Sequence, residues 1–372
     1  MQIFGPKELA ADVLQKDLCI GCGACTELCP YLHNYKGKTA MLFSCTRTQG
    51  RCYAHCPKAD VDLDALYKSM FNKSYDGGPI GVCRKVLTSR AGPRMTAGKF
   101  QAGGTVSALA AYALQTGVID AAILTDAKGL IPMSHLVNKP EDVIKFASSK
   151  YMAAPTAAMV NKGQQQGYKR MGMVGTPCQM TAVAKIRTNP LQKEHFEDPI
   201  GLAIGLFCTW SLDTRSLLAF LADKVDVDSI KKMDIPPPPA EIMVVETRRQ
   251  RLEFPLSQIR ALVPNSCSIC PDMTSELSDL SVGVLEGRPD LNTLIIRTQK
   301  GDDLAQHAEK NGFLVTAEMP QKNLEHLRSA AGNKKQSAFR HLNERNLLGA
   351  ADEGNRPALR VNESTLKRLI AE

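Results

Sequence analysis

Twelve cysteines in a chain of 372 residues are the groups most able to do chemistry, and seven of them crowd between positions 19 and 56. The densest run is Cys19-Ile-Gly-Cys-Gly-Ala-Cys-Thr-Glu-Leu-Cys-Pro30, spaced C-x2-C-x2-C-x3-C-P. Three thiolates on one tight loop can each bind an iron of a cubane 4Fe–4S cluster. The fourth, with its proline, carries the chain toward another centre. Gly21 and Gly23 let the backbone fold close to inorganic sulfide and aim N–H groups at the cluster's negative charge. Cys-x2-Cys pairs also build structural zinc sites, but zinc does not call for four thiols in this rhythm with a trailing proline. The spacing points to electron transfer.

A second group, Cys45, Cys52 and Cys56-Pro57, repeats the closing C-x3-C-P, but six residues separate Cys45 from Cys52 and the expected intermediate cysteine is missing. In a regular two-cluster ferredoxin Cys56 completes the cluster of Cys19, Cys22 and Cys25, while Cys29 joins Cys45 and Cys52. One centre then has four ligands and the other three. The second is a three-iron centre, borrows His55 or Cys83, or is absent; spacing alone leaves these open.

Four more cysteines lie far apart. Cys178 sits in Val174-Gly-Thr-Pro-Cys-Gln179, between a predicted strand and a predicted helix, and Cys208 ends the apolar run Gly205-Leu-Phe-Cys208. Cys267 and Cys270 form a Cys-x2-Cys pair followed by Pro271. Two strand-end thiols and one such pair can close a four-thiolate site at the mouth of a sheet. The competing reading of Cys178 and Cys208 is that they are ordinary buried thiols. A phosphate cradle is suggested by Gln101-Ala-Gly-Gly-Thr-Val-Ser107, whose paired glycines precede a helix N-terminus. Lacking the full dinucleotide fingerprint, a lone Gly-Gly is also a common turn.

The elements that must position these groups divide the chain. Apolar periodicity over Glu8–Leu14 predicts a short helix leading into the first cysteine loop. Tyr75-Asp-Gly-Gly-Pro79 is a turn signal that closes a small α+β ferredoxin-like module, residues 1–78. From residue 79 to 330 strands and helices alternate, predicting an α/β domain with a mixed sheet. Strands are expected at Ala121–Thr125, Met171–Val174, Ile200–Phe207, Ile242–Glu246 and Leu294–Arg297. Helices are expected at Ala108–Gln115, Glu141–Phe146, Ala153–Lys162, Met180–Arg187 and Thr214–Lys224. Pro236–Pro239 is an extended, rigid connection. Residues 331–372 are basic and poor in apolar side chains and read as a solvated extension, with a partner-docking one as the alternative, and with one last helix at Glu363–Ile370.

Composition narrows the function classes. Hydrophobic residues make up 44% and charged residues 23%, ordinary for a soluble globular protein. No apolar run approaches the roughly 20 residues of a membrane span. The N-terminus carries no charged-then-apolar leader, and clustered cysteines fit metal ligation in a reducing compartment; a cytoplasmic location is expected. The formal charge of +8 invites nucleic acid, yet each all-cysteine cluster contributes about −2. Aromatic residues at 5% leave few stacking platforms for single strands.

Taken together, these motifs resemble one family. They are Gly103-Gly-Thr105 with Ala111-Tyr-Ala-Leu114, Gly117-Val-Ile-Asp-Ala-Ala122, Ser149-Lys-Tyr151, Val174–Gln179, Gly205–Cys208, Cys267–Gly283 and Asn292–Arg297. In this order they resemble the beta subunits of coenzyme F-420 hydrogenases and dehydrogenases, a family that also includes formate dehydrogenase beta subunits and a plant chlorophyll-pathway reductase. The likeness runs from about Cys19 to Phe313. It implies an FAD-binding α/β domain with one 4Fe–4S cluster held by Cys178, Cys208, Cys267 and Cys270, preceded here by the ferredoxin module. It places Gly103, Gly104, Thr105, Lys150, Tyr151 and Thr176 at the cofactor, with Lys150 supporting reduced flavin electrostatically. The incomplete second cysteine group departs from the pattern.

The reading that follows is a flavin iron–sulfur oxidoreductase subunit with two or three 4Fe–4S clusters. It exchanges hydride between FAD and a soluble carrier, F-420 or a nicotinamide. It then passes single electrons to or from other redox subunits of hydrogenase, formate dehydrogenase or heterodisulfide reductase type. The rival is an electron-transfer adaptor without chemistry of its own. A zinc-stabilised nucleic-acid-binding protein is a distant third.

Overall fold

A computed structural model describes residues 2–95, 100–236, 240–349 and 356–371. Its centre is an eight-stranded mixed sheet. The strands are β1 (Lys85–Ala91), β2 (Ala121–Lys128), β3 (Ile131–Val137), β4 (Met171–Gly175), β5 (Ile200–Leu206), β6 (Leu280–Leu285), β7 (Arg288–Ile296) and β8 (Leu314–Glu318). They lie in the order β8-β1-β7-β6-β5-β4-β2-β3. The middle four, β6, β5, β4 and β2, run parallel, and antiparallel partners extend both edges.

The parallel strands read as near-continuous apolar runs because both faces are covered. Met171 and Met173 of β4, and Leu202 and Ala203 of β5, have no exposed surface. One face packs against α1 (Thr105–Gln115), whose alanine-rich sequence lets it approach the strands closely. Helix α2 (Pro177–Arg187) starts at the end of β4 with a capping box between Thr176 and Gln179. The expected strands and most expected helices are present within a few residues. Glu141–Phe146 forms a tighter 3-10 helix from Pro140. The helix expected from Ala153 begins at Ala158, since Pro155 holds the preceding residues extended. Of the four-proline connection, positions 237–239 lie outside the described residues. On either side of it Ile230–Asp234, Ile242–Thr247 and Arg251–Pro255 form a separate antiparallel sheet.

The N-terminal module carries a hairpin, Leu32–Tyr35 with Lys38–Met41, a single helical turn, Arg51–Ala54, and the helix Leu63–Phe71 capped by Asp62. Its core is shared with the rest of the chain. Leu9, Leu18, Tyr53 and Tyr67 pack in one cluster with Ala184, Ile269 and Leu277 of the larger domain and with Phe339, Leu342 and Leu359.

Those last three residues correct the expectation of a solvated extension. A 24-residue helix, Gln321–Glu344, runs straight across position 330 and buries Ala331, Lys335, Ala338, Phe339 and Leu342. Leu359–Arg360 then adds a parallel strand beside Val61–Asp62 of the module. The basic residues that suggested solvation are partly internal. Arg356 Nε donates to Asp12 Oδ2 at 2.7 Å, and Arg360 pairs with Asp60. Ala331, Ala338, Phe339, Leu342, Leu347, Leu359 and Val361 all lie on the inner face, which composition alone does not reveal. The helix at Glu363–Ala371 is present. Among the described residues no helix is long and apolar enough to cross a membrane.

Candidate functional site

The first cysteine loop folds as its glycines require. Gly21 has φ +65°, and a Cβ there would lie 2.0 Å from the Gly37 carbonyl oxygen, so the loop can pass the hairpin only as glycine. The loop directs donors at sulfur: the Thr39 N–H approaches Cys19 Sγ at 3.3 Å, and the Gly21 N–H at 3.4 Å. Cys25 Sγ lies 3.4 Å from the Thr39 hydroxyl. Burial, then the neighbouring Cys56 and Cys25 thiols, pushes Cys22 well up. Burial, then Cys56, does the same to Cys25, with Cys19 contributing. Cys56 is pushed up to about 11 by burial and Cys19, against the pull of Lys185 and Lys58. Cys25 and Cys56 share one buried cluster with Cys19 packed against it, and Cys22 lies near enough to feel Cys25 and Cys56, so these four come from two segments of the module into one neighbourhood.

Cys29, Cys45 and Cys52 form a second. Burial raises the Cys52 thiol to about 11, with Cys29 and Cys45 as the neighbouring charges. Cys52 also acts on Cys25, so the two sets adjoin. Cys29 is exposed, which puts this set at the surface. His55 is buried, with Nδ1 lacking a hydrogen-bond partner. Burial and the cations Arg51, Lys185 and Lys193 lower its pKa to about 3. Cys83 is exposed just ahead of β1, after Val82, whose carbonyl accepts from Arg297.

The third set gathers at the carboxyl ends of the parallel strands, where open α/β sheets place their sites. Cys178 follows β4, and its Sγ lies 3.3 Å from the Thr176 hydroxyl. Cys208 follows β5, its N–H bonded to the Met273 carbonyl at 2.9 Å. Cys267 and Cys270 come from the turn Asn265–Ser268 and the residues after it. Burial, then Cys270, raises Cys178 to about 12, with Cys267 adding and Lys58 opposing. Burial also pushes Cys208 up, Lys334 opposes, and Cys178, Cys267 and Cys270 add to it. Cys178 acts in turn on Cys22 of the first set. A cavity of about 50 Å³ lies beside the third set, lined by Pro57, Lys58, Cys178 and Cys270 among others.

Among the described residues no three Cys, His, Asp or Glu side chains are grouped closely enough to hold a single metal ion; all-cysteine donor sets are the chemistry of iron–sulfur clusters, whose thiolates bind separate irons. The surroundings also supply positive charge for an anionic centre. Lys185 Nζ donates to the Cys56 and Ala59 carbonyls at 2.9 and 2.6 Å, and Lys58 Nζ donates to the Ser266 carbonyl at 2.8 Å. Lys334 Nζ reaches the Cys208 and Asp272 carbonyls at 2.6 and 2.8 Å. The sequence reading missed these lysines; Lys58, directly after the Cys56-Pro57 signature, carried the one local signal.

The residues expected at a flavin divide between two places: Lys150 stands at the end of β2, and Gly103 and Thr105 stand against Ser89 of β1 and Asn292 of β7. Gln101 links them: its Oε1 accepts from the Ser149 N–H at 2.6 Å, and its amide donates to the Tyr151 hydroxyl at 3.3 Å. Tyr151 donates to Asp234 Oδ1 at 3.0 Å. Lys150 Nζ lies 3.5 Å from Asp126 Oδ1 at the end of β2. Gly104 has φ +80° and caps α1, with the Phe100 ring 2.6 Å from where a Cβ would stand. Thr105 is fully buried. Its N–H donates to Asn292 Oδ1 at 3.2 Å, and its hydroxyl lies 2.8 Å from the Ser89 hydroxyl. Thr176 is turned toward Cys178 instead.

Comparison with known proteins identifies the family. Residues 86–161 and 168–322 match the N-terminal and C-terminal segments described as coenzyme F420 hydrogenase/dehydrogenase, beta subunit. Residues 13–32 match a 4Fe-4S binding domain. The chain is 29% identical over 278 residues to the coenzyme F420 hydrogenase subunit beta of Methanothermobacter thermautotrophicus, covering 73% of this chain and 98% of that protein. It is 28% identical over 314 residues to the coenzyme F420-dependent sulfite reductase of Methanocaldococcus jannaschii, covering 80% of this chain but 47% of that protein. A chain of the F420-reducing NiFe hydrogenase complex from Methanosarcina barkeri superposes with a TM-score of 0.65 at 26% identity, covering 72% of this chain and 94% of that one. An iron–sulfur domain joined to both beta-subunit segments makes this a redox subunit, and the chain belongs to the coenzyme F420 hydrogenase/dehydrogenase beta-subunit family.

Proposed function

We propose that this chain exchanges hydride between FAD and a soluble carrier, coenzyme F420 or a nicotinamide, and relays single electrons through its cysteine sets to a partner redox subunit. One observation carries the reading. Cys22 packs in one cluster with Met180 and Val183 of the helix that carries Cys178, Cys52 packs against the cluster that holds Cys25 and Cys56, and Cys29 is exposed, so the three sets follow one another from the carboxyl edge of the sheet to the surface. Bound FAD would supply the conversion between hydride and single electrons, and bound clusters would supply one-electron carriage.

The chain's own groups do the rest. Cys178, Cys208, Cys267 and Cys270 hold the inner centre, and the Thr176 hydroxyl orients Cys178. Lys334, Lys58 and Lys185 offset negative charge where water is excluded. Gln101 and Asp234 fix the Tyr151 ring, and Asp126 positions Lys150 at the side where the carrier would enter. Cys19, Cys22, Cys25 and Cys56 hold the middle centre; Cys29, Cys45 and Cys52 hold the outer one.

A second reading, an electron-transfer adaptor without flavin, draws support from Thr105, whose N–H and hydroxyl already have protein partners. Oxygen-free purification with counts of iron, sulfide and FAD per chain separates the two. The proposal expects one FAD and eight to twelve irons, on the order of two to three clusters. It also expects bleaching of the flavin by reduced F420 or NADH. Full iron content with no flavin, even after incubation with FAD, overturns the hydride step and leaves the adaptor.

A further inference from the structure

The outermost cysteine set stands at the base of a hairpin whose surface is unlike the rest of the molecule. Among the described residues eight large hydrophobic side chains are exposed, and four of them, Tyr31, Tyr35, Leu42 and Phe43, fall within this one hairpin and its ends. Phe43 is 64% exposed and Tyr35 59%. Tyr31 lies two residues after Cys29 and Phe43 two before Cys45. The Leu42 N–H bonds the Tyr31 carbonyl at 2.8 Å, and the Tyr31 and Phe43 rings meet edge to face at 6.3 Å. The apolar patch is thus tied to two of the three thiols. An exposed cluster of this kind marks an interaction surface.

Within the hairpin and the segment that follows it the charge is one-sided, with the exposed Glu27 standing just ahead of Cys29. From Cys29 to Ala59 the sequence contains no Asp or Glu, while Lys36, Lys38, Arg47, Arg51 and Lys58 are basic. Lys38 is matched by Asp17, and Lys58 is buried. Lys36, stacked over the Tyr35 ring at 5.5 Å, and Arg47, two residues past Cys45, remain exposed on the rim. A second copy of this chain would set like charges against each other here.

From this juxtaposition we infer that the Tyr31–Phe43 hairpin is the docking face for an acidic iron–sulfur redox protein, which trades single electrons with the centre at Cys29, Cys45 and Cys52. It rests on the reading of that trio as a terminal centre. In each transfer one reduced centre loses an electron and the partner's oxidised cluster gains it, with no bond made or broken and no proton moved. The apolar middle excludes water over the shortest path, and the basic rim selects and steers carboxylate-bearing partners.

The test uses the intact, cluster-loaded chain, reduced with dithionite and mixed rapidly with an acidic two-cluster bacterial-type ferredoxin. A basic c-type cytochrome and a small neutral quinone are run in parallel. The wild-type rate to ferredoxin should fall steeply with added salt. Lys36→Glu with Arg47→Glu should slow it roughly tenfold at low salt and flatten the salt dependence. Phe43→Ser should slow it by a similar factor while the salt dependence remains. Quinone rates and iron content should not change. No salt-dependent transfer by the wild type, faster reaction of the charge-reversed variant with ferredoxin, or a wild-type dimer that Phe43→Ser dissolves each overturns the inference. Failure of the underlying reading shows separately, as unchanged iron in Cys45→Ala.

Discussion

Lys335 and Glu276 form an ion pair with almost no contact with water: their side chains are 2% and 4% exposed and 2.6 Å apart. Lys335 Nζ also donates to the Tyr75 hydroxyl at 3.0 Å and the Gly78 carbonyl at 2.8 Å, and the Tyr67 hydroxyl donates to the other Glu276 oxygen. The pair joins three parts of the chain: the module, the sheet domain and the C-terminal helix. Burial works against the Lys335 charge, but the Glu276 carboxylate and the Tyr75 hydroxyl, through charge and hydrogen bonds together, outweigh it and hold Lys335 above its ordinary range. Lys335→Met keeps the side-chain length and leaves Glu276 buried without its counter-ion, a loss of about 3–5 kcal/mol. Adding Glu276→Gln removes the stranded charge, so the double variant should recover about 1–3 kcal/mol of that loss.

The sign of the pH dependence follows. The folded pKa of Lys335 exceeds the ordinary 10.5, so its contribution is complete at neutral pH and is lost only as pH rises beyond that value. In Lys335→Met only the Tyr67 hydroxyl still opposes the burial of Glu276, whose pKa, already raised by burial, must rise further. Its penalty should therefore shrink as pH falls and Glu276 takes up a proton. The assay is urea unfolding of cluster-loaded protein without oxygen, followed by far-ultraviolet circular dichroism. A single variant within about 1 kcal/mol of wild type, below the range of buried pairs, would falsify the argument. So would a double variant no more stable than the single one.

Changing Cys267 or Cys270 to Ala should remove one cluster's iron while leaving the paramagnetic signal of the Cys19 set; unchanged iron in both variants rules out the third set. Cys45→Ala and Cys52→Ala should each lower iron by one cluster or less without disturbing that same signal. Wild-type iron in both would reduce the trio to spare thiols. Gly104→Val places a branched side chain at φ +80° and 2.6 Å from the Phe100 ring, so FAD occupancy should fall while iron holds; full flavin retention would move the cradle elsewhere on the sheet.

What could be read from the sequence was whatever is encoded locally. C-x2-C-x2-C-x3-C-P states its chemistry in twelve adjacent residues, and the apolar runs at Met171 and Ile200 declare buried parallel strands wherever they fall. The pairing of Cys178 with the Cys267–Cys270 turn needed the family resemblance, because spacing carries no signal between strand ends so far apart. The role of residues 331–371 was hidden for another physical reason. Lys335, Arg356 and Arg360 look like solvent-facing cations until Glu276, Asp12 and Asp60 are brought beside them, and those partners lie between 59 and 344 positions away. His55 was a candidate ligand by adjacency, yet the charges acting on it are Arg51, Lys185 and Lys193.

The return of the C-terminal segment to the module also sets an order of assembly. Val61 and Asp62 pair with Leu359 and Arg360, and both Asp64 oxygens accept from Asn362. Contacts this distant close late, after the chain has met the entropy of a very long loop. On the ribosome, where domains otherwise fold from the N-terminus onward, the first cysteines to be made belong to a module among the last parts to close. Until then the module lacks the Leu359–Arg360 strand and the Asn362 hydrogen bonds. A chain truncated before residue 356 should therefore load the Cys178 set and leave the ferredoxin module open to oxidation.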